Sequence, residues 1–387
     1  MSRRVCATIH LGALRSNLAR IRVLAPRSRV MAVVKADGYG HGLERTVRAL
    51  KDADAFGVAS IADGERIRAL ALPNRIVVLS GIDEAGDLAR MRELGLEPVI
   101  HHDSQLELLK HEWPGLHVDS TVSDRAYAMP AHGGDPWRAV WIKFDTGMHR
   151  LGFDGRRAGE VLATLRGLPG IGELQLMTHF AISDVVDDPL TNTQVQRFEA
   201  VCMQANGGLE PGSLAPRSLA NSAGILGFPA SHADWVRAGG LLYGISVVDG
   251  QCGTDLGFAP AMTLTARLIA VNEIADGERV GYGHAWTATR ATRVGVLAVG
   301  YADGYPRSIR TDTSVLVRGV RVPIIGRVSM DLTTIDLTDL PAVGVGEEAV
   351  LWGRGLPVEE IGVAAATIGY ELVCGMTRRV DFVEDDS

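Results

Sequence analysis

Cysteine is scarce: four in 387 residues, at positions 6, 202, 252 and 374, with no C-x-x-C pair. That scatter excludes a secreted-type disulfide framework and offers zinc no ligand pair, so buried thiols and no metal are expected. Long uncharged apolar runs are missing too, and a membrane helix needs about 20 such residues. Basic excess is absent, because the net charge of -7 leaves no positive footprint for nucleic acid. The N-terminus, M-S-R-R-V-C-A-T-I-H, begins like a signal peptide, but Arg15, Arg20 and Arg22 interrupt any apolar stretch, which points to the cytoplasm. There is no internal repeat and no low-complexity segment. With 46% apolar and 22% charged residues the chain is ordinary for a globular protein, and its length calls for two domains.

What is present is an alternation. From about Val30 to Gly244, eight apolar strand-like runs are separated by helix-like segments, the order that makes a parallel sheet. The runs are Val30 to Val34, Ala55 to Ala59, Ile76 to Leu79, Glu97 to His101, Val140 to Phe144, Glu173 to His179, Arg217 to Ala220 and Trp235 to Gly239. Eight suggests a closed (β/α)8 barrel of the TIM type. An open doubly wound sheet gives the same alternation, but no G-x-G-x-x-G follows the first strand. The segment from His111 to Arg138, rich in Pro, Gly and His, reads as a variable loop. Beyond about Gly250 the texture changes to short β-like runs split by Gly and Asp turns: Thr263 to Val271, Thr292 to Val299, Ser314 to Arg318, Pro323 to Val328 and Ala349 to Trp352. The expected division is residues 1–245 as barrel and 246–387 as a mostly-β domain.

Chemistry in such barrels gathers at the carboxyl ends of strands, where Lys35, His179, Ser222 and Arg237 fall. Val30 to Gly42 reads V-M-A-V-V-K-A-D-G-Y-G-H-G. A run without polar alternation suits a strand buried on both faces, and Lys35 stands where it leaves the core. Taken alone, Lys35 is most simply a solvated strand end. A half-buried lysine there can also become a nucleophilic amine able to form a Schiff base. The stretch resembles the cofactor-lysine motif of the alanine racemase family, with Asp37 and Gly38 in place of the usual Asn and Ala. The resemblance implies that Lys35 carries pyridoxal 5'-phosphate (PLP) and that Tyr39 binds its phosphate.

Further motifs follow in the family's order. K-F-D-T-G-M-H-R-L-G, from Lys143, implies that Arg150 bonds the cofactor's phenolic oxygen and the substrate carboxylate, and that a carbamylated Lys143 orients it. M-T-H-F-A-I-S-D implies that His179 links the catalytic tyrosine to an arginine at the cofactor ring, without transferring a proton itself. Asn221-Ser222-Ala223 and V-R-A-G-G-L-L-Y-G resemble the phosphate and ring-nitrogen elements: Asn221, Ser222 and the backbone at Gly239 and Gly240 for the phosphate, Arg237 for the ring nitrogen. Gly240 replaces a branched apolar residue. An arginine, with a pKa above about 12, does not readily give up a proton, which disfavours transamination.

In the second domain, V-G-Y-G and G-Y-A-D-G-Y place Tyr282 and Tyr301 as the catalytic and pocket tyrosines. G-R-V-S-M-D, with Ser329 for the usual Cys, makes Met330 and Asp331 substrate-binding residues. Tyr370, in Y-E-L-V-C, is a phosphate ligand by resemblance.

The resemblance runs from Ile9 to Arg379 and implies a PLP-dependent enzyme interconverting L-alanine and D-alanine. Lys35 would serve one face and Tyr282, lent by a second copy in a homodimer, the other. A tyrosine has a reference pKa of about 10 and needs a cationic neighbourhood to act as a base. The alternatives are a broad-spectrum or serine racemase of the same fold, a PLP decarboxylase, which needs no base on the second face, and a PLP carrier without turnover. D-alanine supply for peptidoglycan and alanine catabolism both remain open as roles.

Overall fold

Strand periodicity accounts for the barrel. Along Arg29–Val33, Met31 faces the barrel interior while Val30 and Ala32 pack outward against helices, so both faces are apolar. The computed structural model describes residues 5–112, 137–168, 171–205 and 215–387. The strands Arg29–Val33, Ala55–Val58, Arg75–Val78, Glu97–Ile100, Trp137–Asp145, Ile171–Met177, Arg217–Ser218 and Trp235–Ala238 pair in parallel in that order, and Trp235–Ala238 returns to Arg29–Val33 to close the ring. All eight expected strands are there. Of the expected loop from His111 to Arg138, residues 113–136 lie outside the described residues; 111 and 112 end the helix Asp103–Glu112, and 137 and 138 begin a strand.

The interior is layered. Met31, Ala55, Val77, Val99, Trp141, Met177 and Trp235 form its apolar middle. Two residues earlier along three of the same strands come Arg75, Glu97 and Gln175, a buried polar floor. Arg75 donates two hydrogen bonds to Glu97, at 2.7 and 2.8 Å, and the indole of Trp141 donates a third at 2.8 Å. The guanidinium also lies 5.0 Å from the centre of the Trp235 ring.

The second domain is built on the long strand Met262–Ile274. It pairs antiparallel with Thr292–Leu297 and Glu348–Trp352, and a register shift lies between Leu268 and Ala270. Ser314–Val317 and Val320–Pro323 extend one edge, and Thr333–Asp336 pairs with Thr292–Leu297. Two details depart from expectation. The strand expected over Pro323 to Val328 lies earlier, at Val320–Pro323, because the Ile324–Ile325 pair is buried core rather than a ladder; Ile324 makes only an isolated bridge to Ile335. The strand Val5–His10, inside the range expected for the barrel, sits in the second sheet. It is antiparallel to Met262–Ile274 and parallel to Asp381–Asp385.

Removing one member of a buried ion pair leaves its partner charged and unpaired. Arg75→Met should therefore lower stability by about 3–5 kcal/mol in urea unfolding. A loss under 1 kcal/mol would mean that the floor does not depend on this pair.

Candidate active site

The same period-2 rule that layers the barrel builds the site. Trp141, Met177 and Trp235 point inward, so two residues further on Lys143, His179 and Arg237 do as well, now above the apolar layer. Together with Lys35, Tyr39, Arg150, Asn221, Ser222, Gly239, Gly240 and Tyr370 they line a cleft of about 730 Å³ at the carboxyl end of the strands. Every barrel-domain residue expected in the site is in this one cleft.

Lys35 and Tyr39 bracket an unusual turn. Ala36, Asp37, Gly38, Tyr39 and Gly40 have φ of 53°, 54°, 64°, 51° and 75°, a short left-handed helix. For a residue with a Cβ that conformation costs about 1–2 kcal/mol. Local bonds oppose the cost. The Leu43 N–H donates to the Asp37 carboxylate at 3.1 Å, Arg66 donates to the same oxygen at 2.8 Å, and the Gly42 N–H donates to the Asp37 carbonyl at 2.9 Å. Gly40 is required twice over, by its positive φ and because a Cβ there would overlap the Val373 carbonyl. The Tyr39 ring stacks on Tyr243 at 4.7 Å and meets Tyr370 edge-on at 5.7 Å.

The floor of the cleft is cationic. Arg237, 4% exposed, donates to the carbonyls of Thr178, Ser218 and Leu219 at 2.7, 3.0 and 3.2 Å and to the Ser218 hydroxyl at 2.8 Å. None of these partners is a carboxylate. Burial lowers its pKa to about 10, which still leaves it charged at neutral pH. It also reaches His179 Nδ1 at 3.1 Å, so that nitrogen accepts and the imidazole is neutral. Burial, followed by the fields of Arg237, Lys143, Arg150 and Lys35, pushes His179 down to about 2.

Lys143, buried and without a hydrogen-bond partner among the described residues, falls to about 8 through burial and then the charges of Arg237 and Arg150. Lys35 is lowered as well, by burial and then by Arg150; its side chain is exposed to the open cleft while its amine is partly desolvated there.

Beside the cations stands a set of neutral oxygens. The Ser222 hydroxyl accepts from the Gly239 N–H at 2.9 Å, and Tyr39 Oη lies where a Cβ on Gly239 would meet it at 2.6 Å. Tyr370 Oη occupies the space that a Cβ on Gly240 would need, so the glycine found in place of a branched residue makes room for that hydroxyl. Burial raises Tyr39 to about 12 and drives Tyr370 higher, keeping both hydroxyls as donors. Asn221 Oδ1 accepts from the Gly224 N–H and the Ser183 hydroxyl, both at 2.9 Å, so its side chain shapes the loop that presents Ser222.

The second-domain residues lie elsewhere in the same chain. Tyr282 is 68% exposed and Met330 54%, and neither these two nor Tyr301 and Asp331 line the cleft. Tyr301 and Met330 belong to adjoining loops, joined by the Tyr301 N–H to the Ser329 carbonyl at 3.1 Å and the Ala302 N–H to the Met330 carbonyl at 3.0 Å. Asp331 pairs with Arg379 at 2.6 Å. Sequence reasoning gave no role to Tyr243 or His41, although both lie within the quoted motifs; for His41, an aromatic between Gly40 and Gly42 was the available signal. Cysteine expectations hold for Cys202, which is buried, and not for Cys374, which is exposed close to Lys35.

A closed parallel barrel with a cationic, hydroxyl-lined cleft at its carboxyl end, followed by a β domain, defines a two-domain barrel enzyme. Known families narrow this. The alanine racemase N-terminal domain matches residues 9–247 and the alanine racemase C-terminal domain residues 261–384. An alanine racemase from Shewanella amazonensis is 44% identical over 381 residues, covering 97% of both chains. The structure of the biosynthetic alanine racemase from Pseudomonas aeruginosa superposes with a TM-score of 0.88 at 41% identity, over 99% of this chain and 100% of that one. The Acinetobacter baumannii alanine racemase gives 0.87 at 34% identity, with the same coverage. The chain belongs to the alanine racemase family. Its reaction class is amino-acid racemisation, with alanine the substrate for which the family is named, and the serine or broad-spectrum alternative is not favoured.

The neutral histidine has a consequence for acid stability. His179, at about 2 folded and 6.5 when unfolded, is protonated in the unfolded chain first, so stability is complete above pH 6.5 and is lost as pH falls below it. Between pH 6 and 4 this group should contribute a slope of about 1.4 kcal/mol per pH unit. His179→Asn should flatten the urea-unfolding profile by about that much, and an unchanged slope would contradict a neutral, buried imidazole.

Proposed function

We propose that the chain racemises alanine with PLP bound in the cleft, and that it moves protons on opposite faces of the substrate with Lys35 and a partner subunit's tyrosine. The observation that carries this reading is the donor set: hydroxyls of Tyr39, Ser222 and Tyr370 beside small-residue backbone suit a phosphate, and a lysine with a lowered pKa stands at the other end of the same turn. When bound, the cofactor supplies electron withdrawal that acidifies the substrate Cα–H. Everything else falls to the chain. Lys35 Nζ, partly desolvated, exchanges a proton with Cα from its own side. Arg237 keeps its protons at neutral pH, and His179, accepting from Arg237, holds that guanidinium in place. Arg150, which has no hydrogen-bond partner among the described residues, is available for a substrate carboxylate.

The second face is assigned to a base from outside this chain's own cleft. Tyr282 is exposed in the other domain, beside a surface that also bears Tyr301 and Met330. A homodimer that presents this surface to the partner's cleft completes both sites and buries the exposed side chains, which argues for a shared active site. Lys35→Ala should abolish covalent attachment of PLP, and Tyr282→Phe should keep it but cut turnover by about 10² to 10⁴. Mixing the two inactive variants should then restore up to about a quarter of wild-type activity, since random reassortment makes half the dimers mixed and each of these carries one intact site. No recovery, with heterodimers demonstrated, would place both bases in one chain.

Lys143 is assigned a carbamate. At pH 7 about one amine in ten is neutral at a pKa of about 8, enough to react with carbon dioxide, and the product is an anion facing Arg150 and Arg237 instead of a third cation. Crystals grown with bicarbonate should show three extra atoms on Nζ, and density for a plain amine would reject the assignment.

A further inference from the structure

Behind the turn that carries Lys35 and Tyr39 lies a polar arrangement that the reaction does not use. His41, 1% exposed, has Nδ1 at 2.8 Å from the Tyr39 carbonyl oxygen. A carbonyl only accepts, so Nδ1 carries the proton, and in a neutral ring Nε2 is left as an acceptor. Burial keeps the ring neutral, pushing it down to about 4. Yet Nε2 is buried with no hydrogen-bond partner among the described residues. Trp352, fully buried at the end of the strand Glu348–Trp352 in the second domain, likewise has an indole N–H with no acceptor among the described residues. Both side chains line one small cavity of about 20 Å³, bounded also by Tyr243, Gly244, Gly353 and Val373.

Two side chains that line a single void, one with an unmet acceptor and the other with an unmet donor, supply the two halves of a water site. A cavity needs about 10–15 Å³ to hold one water, so this one takes one molecule and nothing larger. The Glu359 carboxylate also lines the cavity, with Oε1 accepting from the Ser246 and Gly253 N–H. A cation would be opposed by the indole N–H and by a space too small for its hydration shell, and an anion by Nε2 and that carboxylate. A water can accept from Trp352 and donate to His41, satisfying two buried polar groups that are otherwise unmet.

We propose that His41 is a positioning residue for the left-handed turn, fixed from behind by a single buried water that it shares with Trp352 across the domain junction. The chain of contacts runs from Trp352 through water to His41, and from His41 Nδ1–H to the Tyr39 carbonyl, in the turn where Ala36, Asp37 and Tyr39 are held at φ of 53°, 54° and 51°. Tyr243 supports the same unit from the side, with its ring 4.7 Å from both His41 and Tyr39. Holding an orienting imidazole in one tautomer through its distal nitrogen is the logic by which outer partners fix ligand geometry. The role rests on reading Lys35 and Tyr39 as the cofactor turn; the water does not.

The test separates the two. A high-resolution crystal structure of the full chain should contain one water within hydrogen-bond distance of both His41 Nε2 and Trp352 Nε1, and a dry cavity would overturn the water site. For positioning, PLP affinity of the full chain, stripped of cofactor, is measured by absorbance titration. His41→Asn keeps an N–H where Nδ1 was and should bind PLP within about threefold of wild type. His41→Gln, which moves its amide to the distal position, and His41→Phe, which has no donor, should each bind at least about tenfold more weakly while melting cooperatively. Equal affinity in Gln and wild type, or an Asn variant as weak as Phe, would overturn the positioning role. Should the wild type itself take up no PLP, the cofactor reading fails and the positioning role with it, while the crystal density still decides the water.

Discussion

The site depends on a backbone conformation that L-residues avoid. Ala36, Asp37 and Tyr39 are held at positive φ together with Gly38 and Gly40, at a cost of about 1–2 kcal/mol for each residue with a Cβ. What the conformation gains is geometry. A right-handed turn would carry the chain on as an ordinary barrel helix; the left-handed one folds it back, so that Lys35 and Tyr39 both open into the cleft and Leu43 starts the next helix. The surroundings over-determine the strained segment, with Asp37, Arg66, His41, Tyr243 and Val373 each fixing a different part of it.

Above the apolar layer, the barrel concentrates positive charge; Asp184, Asp249 and Glu359 line the same cleft, but no carboxylate bonds Arg237. Lys35, Lys143, Arg150 and Arg237 face one space, and Arg237 is satisfied by neutral acceptors alone: three carbonyls, the Ser218 hydroxyl and His179 Nδ1. The mutual lowering of Lys35, Lys143 and His179 is the electrostatic record of that crowding, added to the larger effect of burial. Below the same layer the barrel does the opposite and closes Arg75 onto Glu97 with both ends bonded. One floor is neutralised for stability; the other is left hungry for anions.

Most of this architecture was legible in the residues, for physical reasons that also explain what was not. Strands such as Val30 to Val34 and Trp235 to Gly239 carry apolar residues on both faces, and nothing but a covered parallel strand tolerates that. Thr333–Asp336, T-T-I-D, buries Thr333 and Ile335 and leaves a polar alternate face, a pattern too short to separate from a loop. Val320–Pro323 was displaced by Ile324 and Ile325, whose hydrophobicity reflects burial rather than pairing. The glycines of G-Y-G-H-G announced a turn, but Ala36 and Asp37 carry no mark of a left-handed φ. The barrel residues and Tyr370 named by the family resemblance line one cleft; for Tyr282, Tyr301, Met330 and Asp331, one chain gives positions away from its own cleft.

The strand Val5–His10 is threaded between Met262–Ile274 and Asp381–Asp385, and His10 bonds Asp385 across 375 positions of sequence. Synthesis is vectorial, so this strand leaves the ribosome long before either neighbour exists. The barrel can close while its leading segment is still unpaired, and the second sheet cannot be completed until residues near 385 have emerged. Until then an apolar strand with two open edges trails from a folded domain, the kind of segment that seeks another chain if its own is late. For this molecule, the order of translation and the order of assembly are opposed, and the last strand to arrive is the one that secures the first.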